Sequence, residues 1–321
     1  MRRFVAVRLL HAVVVLFLVT TIAFFLIHLA PGDPFSFDNS SISGEVRDQW
    51  RRQFGYDRPL FEQYVRYLAS VARGKLGYSH SLHLPVSQVL ATTLPRTLLL
   101  MGLAFALSFA LGIRLGVYEA THWRTRKARA TNGASLLIYS LPDFWLALML
   151  LLAFGYWFPV LPAGGMVDVV LHPYMGTAAA AWDRLKHLAL PLLTLTLLIT
   201  AMIARYQRAA LLDILPSDFV RTARAKGVDE PTVVRHHALR NALLPMITLA
   251  GLAFPALLGG AVFVERVFSW PGMGMMVATA IFVRDYPLIL ASVMVGAVMV
   301  VLGNLLADVA YGLADPRVRV R

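Results

Sequence analysis

The stretch LLHAVVVLFLVTTIAFFLIHLA, residues 9–30, contains no Asp, Glu, Lys or Arg and is followed directly by Pro31. An α-helix needs about 20 consecutive apolar residues to cross the hydrocarbon core of a bilayer. Residues 9–30 are therefore predicted to span a membrane. The run is too long for a cleavable signal peptide, and Pro31 stands where cleavage would be expected, so we interpret it as a retained span.

Five further segments are long and apolar enough to cross a membrane. They cover residues 97–118, 134–158, 188–204, 242–264 and 288–311. The chain of 321 residues is 58% hydrophobic and 15% charged, whereas soluble domains carry about 25% charged residues. We therefore predict an all-α integral membrane protein with six transmembrane helices.

The distribution of basic residues predicts which loops face the cytoplasm. With the N-terminus inside, 18 of the 30 Lys and Arg residues fall in inner segments, together with only six acidic residues. This asymmetry follows the positive-inside rule and places both termini in the cytoplasm. Contact with anionic lipid then explains the net charge of +12, and nucleic acid is not an expected partner. The chain has no cysteine, which excludes disulfides and Cys-based metal or redox sites.

The segment between the first two spans, residues 31–95, is predicted to lie on the outer side. Apolar residues recur there at helical spacing, and the turn Gly55-Tyr-Asp-Arg-Pro59 interrupts them. This pattern predicts two short amphipathic helices. The predicted domains are a first helix over 1–30, this outer segment, a membrane domain over 96–312 and a basic tail over 313–321.

The loop between the fourth and fifth spans, residues 206–245, is long for a helix connection. Asp218 or Ser217 can cap a helix over residues 219–226. Gly227 follows at the position where a helix commonly ends in a left-handed conformation. The pattern predicts a short, separate helix within the loop.

A second helix is predicted to start immediately after this turn. Asp229 can cap it, and Pro231 is tolerated in its first turn. The loop is therefore predicted to form a short helix, a sharp turn and a second helix that leads into the fifth span. It is either an attachment point for another protein or a solvated amphipathic connector.

Several motifs follow one another along the chain, each at a consistent topological position. They are His28-Leu-Ala-Pro-Gly-Asp-Pro34, Gly55-Tyr-Asp-Arg-Pro-Leu60, Gly74-Lys-Leu-Gly-Tyr-Ser79, Ser140-Leu-Pro-Asp-Phe-Trp145, Asp218-Phe-Val-Arg-Thr-Ala-Arg-Ala-Lys-Gly-Val228, His237-Ala-Leu-Arg-Asn-Ala-Leu-Leu-Pro245, Val264-Glu-Arg-Val-Phe-Ser-Trp-Pro-Gly-Met-Gly274 and Asp308-Val-Ala-Tyr311. Together they resemble permeases of ATP-binding-cassette (ABC) importers of the dipeptide, oligopeptide and nickel family, in the first ("B") of its two permease subunits. The resemblance covers nearly the whole chain and implies the type I ABC importer transmembrane fold.

The resemblance implies a coupling role for the loop over 206–245, in which a short helix sits in a groove of a cytoplasmic ATPase. The residues implied in this contact are Asp218, Phe219, Arg221, Thr222, Ala223, Arg224, Ala225, Lys226 and Gly227. The implied partners are a homologous second permease, two ATPase subunits and an extracytoplasmic solute-binding protein. The chain lacks a Gly-x-x-x-x-Gly-Lys-Ser/Thr phosphate loop, so we expect it to bind no cofactor, while ATP and Mg²⁺ are used by the ATPase.

Three positions depart from the usual patterns of such permeases. Arg221 and Arg240 occupy slots of Glu and Pro in the general importer motif, a variant typical of the peptide and nickel branch. They are expected to contact either the ATPase or the lipid surface. Lys75 stands where Asp is usual. The resemblance also implies structural roles for Glu265, Trp270, Pro271, Gly272 and Asp308, with Asp308 pairing with an inner-face Arg.

Asp143 and Trp145 in the third predicted span are candidates for a substrate pathway. Acids inside a membrane are costly and often functional. Asp143 could face a substrate's amino terminus or a cation, or it could partner a backbone group freed by Pro142 or a basic residue of a neighbouring helix. His80 and His83 have neither Cys nor carboxylate beside them, so no metal site is predicted.

Enzyme motifs are absent from the sequence. There is no His-Glu-x-x-His, no Gly-x-Ser-x-Gly and no paired intramembrane carboxylates, which disfavours a protease or lipid-modifying enzyme. We predict the permease half of an importer for short peptides or a related solute. The alternatives are a self-sufficient secondary transporter, which would tend to show inverted repeats, and a non-transporting scaffold. The cargo stays open among peptides, nickel chelates, glutathione-like and sugar-like solutes.

Overall fold

The computed structural model describes residues 2–30, 44–253 and 261–314, and their backbone is almost entirely helical. The α-helices are α1 (Arg2–Leu29), α2 (Gly44–Phe54), α3 (Leu60–Ala72), α4 (Val86–Thr121), α5 (Arg126–Ser140), α6 (Asp143–Leu151), α7 (Thr177–Ile214), α8 (Asp218–Ala225), α9 (Glu230–Thr232), α10 (Leu239–Ala242), α11 (Leu244–Ala253), α12 (Val262–Val267), α13 (Met273–Phe282) and α14 (Tyr286–Ala314). Shorter elements are π-helical turns at Leu152–Trp157 and Val233–Ala238, a 3₁₀ turn at His172–Tyr174, and an antiparallel pair of strands, β1 (Tyr78–Ser79) and β2 (Leu84–Pro85). The all-helical class predicted from the sequence is confirmed.

Four helices in the described part of the chain are long and apolar enough to cross a membrane. They lie within α1, α4, α7 and α14 and coincide with the first, second, fourth and sixth predicted spans. Helices α4 and α7 have 36 and 38 residues, well beyond the roughly 20 that a bilayer requires. Both are therefore long enough to continue past the hydrocarbon core.

The third predicted span, residues 134–158, is wrong as a single helix. The chain is helical in α5 and again in α6, but the two helices are bent by 104°. Pro142 causes the break, because its ring removes a backbone N–H and disfavours helical geometry at the preceding residue. Leu141 accordingly has extended angles, φ −80° and ψ 139°. Asp143 begins a helix and does not lie within one.

The fifth predicted span, residues 242–264, lies partly outside the described residues, which do not include 254–260. Helix α11 covers much of its first half, and α12 begins near its end. Pro245 is the second residue of α11, where a missing N–H removes no intrahelical hydrogen bond.

One compact unit comprises Met1–Arg96 with Gly272–Leu302. In this unit α2 and α3 confirm the two helices predicted on either side of the Gly55 turn. Helix α3 packs on α1 through Phe24 and Tyr64, whose ring centroids are 5.4 Å apart. The Tyr64 hydroxyl also lies 2.8 Å from Oγ1 of Thr21. Helix α3 is too short to bury a core of its own, and these contacts attach it to the apolar helix α1.

The second compact unit comprises Thr97–Pro271 with Gly303–Arg321. Its apolar core includes Leu100, Leu190 and Trp270, each at most 1% exposed. Helices α4 and α7 approach closely at Gly116, where an added Cβ would lie 2.6 Å from the carbonyl oxygen of Ala204. Gly112, four residues earlier, makes a similar approach to Ile203 and Thr200. Small residues at this spacing let helix backbones pack closely within a membrane.

Candidate functional site

The loop predicted over residues 206–245 begins later than expected, because α7 continues to Ile214. The remaining part has the predicted order of a short helix, a turn and a second helical segment, apart from the capping details. Ser217 occupies the N-cap position of α8, with extended angles but without a side-chain capping bond. Gly227 ends the helix with φ +79°, a conformation that side chains with a Cβ rarely adopt. Asp229 caps the next helix, since its Oδ2 accepts a 3.2 Å hydrogen bond from the N–H of Thr232.

One face of α8 is buried within the chain itself. Val220 is 0% and Ala223 5% exposed, and both belong to a cluster with Leu211 of α7 and with Val234 and Ala238 of the following turn. Ala223, predicted as an ATPase contact, therefore packs against its own chain. The cluster makes α8 part of one packed body with the end of α7 and the segment leading to α10.

The opposite face of α8 is open to solvent. Phe219 is 46% exposed, and the other exposed residues on α8 and its turn are Asp218, Arg221, Thr222, Arg224, Ala225, Lys226 and Gly227. Arg221 pairs with Asp218 one turn earlier. Thr222 Oγ1 donates a 2.8 Å hydrogen bond to the carbonyl oxygen of Asp218. The exposed surface therefore combines one aromatic ring with several polar and basic groups.

An ion pair closes the turn at Gly227. Arg224 donates to both carboxylate oxygens of Glu230, from Nε at 2.9 Å and from Nη2 at 2.7 Å. Nη1 of Arg224 also donates to the carbonyl oxygen of Leu215 at 3.3 Å. This hydrogen bonding lowers the pKa of Glu230 and raises that of Arg224. Arg224 thus links the end of α7, α8 and α9, whereas Glu230 is not among the predicted site residues.

The two candidates for a substrate pathway lie at the start of α6. The carboxylate of Asp143 accepts a 2.8 Å hydrogen bond from the N–H of Phe144. Trp145 is 42% exposed. Asp143 thus contacts a backbone N–H at the break that Pro142 creates. Partnering a backbone group there is one of the roles suggested for it by the sequence.

The predicted structural positions are well packed where the structure describes them. Glu265 is fully buried, and its Oε1 accepts a 2.7 Å hydrogen bond from Oγ1 of Thr97. The N–H of Trp270 donates to the carbonyl oxygen of Glu265 at 2.7 Å, which closes the turn after α12. Pro271 follows, and Gly272 is the N-cap of α13. Asp308 lies in α14, but its side chain is outside the described residues, so its predicted pairing stays a prediction.

His80 and His83 lie in the turn between β1 and β2. Nε2 of His80 is 3.2 Å from the hydroxyl of Tyr56, and burial lowers the pKa of this imidazole. His83 has φ 52° in the turn between β1 and β2. Across residues 2–30, 44–253 and 261–314, no group of three or more His, Cys, Asp or Glu is placed to hold a metal ion.

Comparison with known proteins gives matches along the whole chain. Residues 90–320 match the model of binding-protein-dependent transport system inner membrane components, and residues 1–101 match the N-terminal model of such membrane components. The oligopeptide transport system permease protein AppB of Bacillus subtilis is 36% identical over 320 residues, covering 99% of both chains.

Two further relatives are named for other substrates. The di/tripeptide transport system permease protein DppB of Pseudomonas aeruginosa is 36% identical over 333 residues, covering 99% of both chains. The glutathione transport system permease protein GsiC of Escherichia coli K12 is 34% identical over 323 residues, covering 100% of both chains.

Proposed function

This chain belongs to the family of binding-protein-dependent transport system inner membrane components, and from that membership we propose that it forms half of the translocation pathway of an ATP-driven importer of short peptides. It is a permease subunit and a multi-pass inner-membrane protein, and membership implies an ATPase and a solute-binding protein as partners. The relatives support this function over a self-sufficient secondary transporter.

The coupling role rests on one observation: α8 has one face buried against its own chain and another face exposed to solvent. Its inner face is fixed by Val220 and Ala223, while Phe219 projects from the outer face. A partner that moves Phe219 therefore moves the end of α7 and the segment leading to α11 with it, because the packed cluster resists deformation. We infer that α8 is the element through which a cytoplasmic ATPase drives the permease.

The proposed assembly contains a homologous second permease and two ATPase subunits that bind ATP and Mg²⁺. This chain supplies no phosphate loop of its own, so hydrolysis takes place in the partner. We propose six spans, in which α5 and α6 together form a broken third span, with both termini in the cytoplasm, as the distribution of Lys and Arg favours. In this arrangement α8 lies on the side of the membrane where ATP is available.

Peptides are the proposed cargo because relatives that match along the whole chain are named as permeases for oligopeptides, di/tripeptides and glutathione. All three are short chains of amino acids with free carboxylates. The acidic side chain of Asp143 at the break before α6 remains our candidate for contact with a peptide's amino group, with Trp145 beside it.

Co-purification with the ATPase tests the coupling role of α8. We expect Phe219→Ala to reduce ATPase recovery with the assembled permease by roughly tenfold, since buried aromatic anchors dominate many interfaces. Phe61→Ala is the matched control, because Phe61 is 72% exposed on the outer helix α3. Equal ATPase recovery and equal peptide uptake for the two variants would show that α8 does not couple the ATPase.

A further inference from the structure

A cavity of about 310 Å³ lies within the first compact unit, among α1, α2, α3 and the start of α14. Phe24, Tyr67 and Leu290 form part of its apolar lining. Phe24 lies near the end of α1, and Leu290 lies near the beginning of α14. Because both helices are apolar enough to cross a bilayer, we expect the cavity near their ends to lie close to the level of the lipid headgroups.

Four basic side chains also line the cavity, and no Asp or Glu is among its described lining residues. They are Arg52, Arg58, Arg66 and Lys75. Glu62 lies nearby and pairs with Arg58 at 2.7 Å and with Arg66 at 3.0 Å. One carboxylate thus compensates two guanidinium groups, and the lining keeps a positive charge.

Arg52 and Lys75 supply the uncompensated charge. Nε of Arg52 donates to the backbone carbonyl oxygen of Asp48 at 3.4 Å. Neither Arg52 nor Lys75 forms an ion pair with any residue that the structure describes. Both side chains are exposed at the cavity. They can therefore reach an anion that enters from solvent or from the membrane surface.

The backbone holds Lys75 in this position. Oγ of Ser70 donates a 2.9 Å hydrogen bond to the carbonyl oxygen of Lys75, and the N–H of Lys75 donates to that of Ser70 at 3.0 Å. Gly74 supplies the left-handed turn, with φ +73°. Lys75 therefore leads from a fixed turn into the lining of the cavity.

Tyr67 adds a neutral hydrogen-bond donor to the same lining. Burial raises the pKa of its phenol to about 12, so the hydroxyl stays protonated at neutral pH. Arginine forks and ammonium groups bind phosphate oxygens well. A cavity that joins such groups to aromatic and aliphatic walls suits a phosphate group that carries an apolar chain.

We propose that this cavity binds the phosphodiester headgroup of an anionic phospholipid, with Lys75 and Arg52 at the phosphate and Phe24 and Leu290 beside the start of the acyl chains. Soluble glycerol phosphate presents the same anionic chemistry without the chains. The proposal does not depend on the cargo or on the coupling role of α8.

Lipid retention by the assembled transporter tests the site. The complex is reconstituted into nanodiscs of equal parts phosphatidylglycerol and phosphatidylcholine, re-extracted, and its bound lipids are counted by native mass spectrometry. We expect retention of phosphatidylglycerol over phosphatidylcholine, and a fall in that preference of roughly tenfold in Lys75→Asp, which changes the local charge by two. Arg52→Gln should give a smaller fall.

Arg73→Asp is the matched control, because Arg73 is exposed two residues from Lys75 but does not line the cavity. It should leave the lipid preference unchanged, which separates the effect of the cavity from that of general surface charge.

A second arm of the experiment adds glycerol phosphate to the delipidated complex and follows its thermal stability. Stabilisation that depends on Lys75, without lipid preference, would support the anion site and assign it to soluble phosphate. Equal behaviour of Lys75→Asp, Arg73→Asp and wild type in both arms would overturn the proposal.

Discussion

The hydroxyl of Ser79 donates a 2.6 Å hydrogen bond to Oδ2 of Asp285, which lies 206 residues later in the chain. Ser81 adds two donors to the same oxygen, its backbone N–H at 3.0 Å and its hydroxyl at 2.7 Å. Asp285 is 1% exposed and directly precedes α14. A single buried carboxylate oxygen therefore connects the β1–β2 hairpin to the start of an apolar helix.

Replacing Asp285 with Asn should loosen this connection. An amide oxygen carries no charge and accepts three donors less well, so we expect a loss of about 1–3 kcal/mol in stability. The measurement is the midpoint of thermal unfolding of the purified complex, with limited proteolysis of residues 77–85 as a local readout. Asp57→Asn, an exposed acid of the same outer segment, is the control, and an equal shift in both variants would argue against the connection.

The close approach of α4 and α7 predicts opposite effects for two glycines of one helix. Gly116→Ala places a Cβ 2.6 Å from the carbonyl oxygen of Ala204, so we expect a loss of about 1–3 kcal/mol from overpacking. Gly102→Ala meets nothing within 4 Å and should be neutral or gain up to about 1 kcal/mol in helix propensity. The measurement is the midpoint of thermal unfolding of both variants in the same detergent. A Gly116→Ala variant as stable as wild type would refute the close contact between α4 and α7.

The turn at Gly227 predicts a graded response to substitution. No atom lies within 4 Å of a Cβ added there, so any effect arises from the positive φ of +79°. Gly227→Val should cost about 1–2 kcal/mol locally and reduce ATP-driven peptide uptake. Gly227→Asn should retain most uptake, because Asn enters the left-handed region more readily. Equal uptake by the Val and Asn variants would mean that the turn geometry does not matter for coupling.

The Arg224–Glu230 pair predicts a pH-dependent difference in the mobility of α8. The pKa of Glu230 is lowered in the folded chain, so its stabilisation is present above the ordinary Glu pKa of about 4.3 and is lost as pH falls through the lowered value. Both side chains are partly exposed, so the contribution is at most about 1 kcal/mol. Hydrogen exchange in α8 should be faster in Glu230→Gln than in wild type at pH 7.

The same pair offers an internal check on that prediction. The difference in exchange should disappear at a pH below the lowered pKa of Glu230, because wild type then also lacks the charged carboxylate. Exchanging the two residues, Arg224→Glu with Glu230→Arg, should restore part of the protection at pH 7. A difference that persists unchanged in acid would show that the carboxylate charge has no part in holding the turn.

Local features of this chain were predictable from its sequence because their causes lie within a few residues. The apolar runs of α1, α4, α7 and α14 exceed the length that a bilayer requires. The Gly227 turn and the Asp229 cap follow from the backbone preferences of glycine and from a carboxylate three residues before a free N–H. The ordered motifs also indicated the family, which the comparisons show.

Other features depended on contacts that a linear pattern does not contain. In a membrane protein both lipid-facing and packed surfaces are apolar, so hydropathy does not reveal that Ala223 is buried or that Gly116 meets α7. The bend at Pro142 had a visible cause, but the length of the apolar run favoured a single span. The hydrogen bond from Ser79 to Asp285 joins residues that are far apart in the sequence.

The sequence by itself determined that this protein is a helical membrane permease, where most of its long helices lie and how the α8 turn is built. Only the tertiary structure decided which face of α8 is free, which helices touch, and that Lys75 lines a cavity with three arginines. The physical reason is the range of the interactions, since hydropathy and capping act within one helix. Packing and electrostatic complementarity depend on side chains that folding brings together.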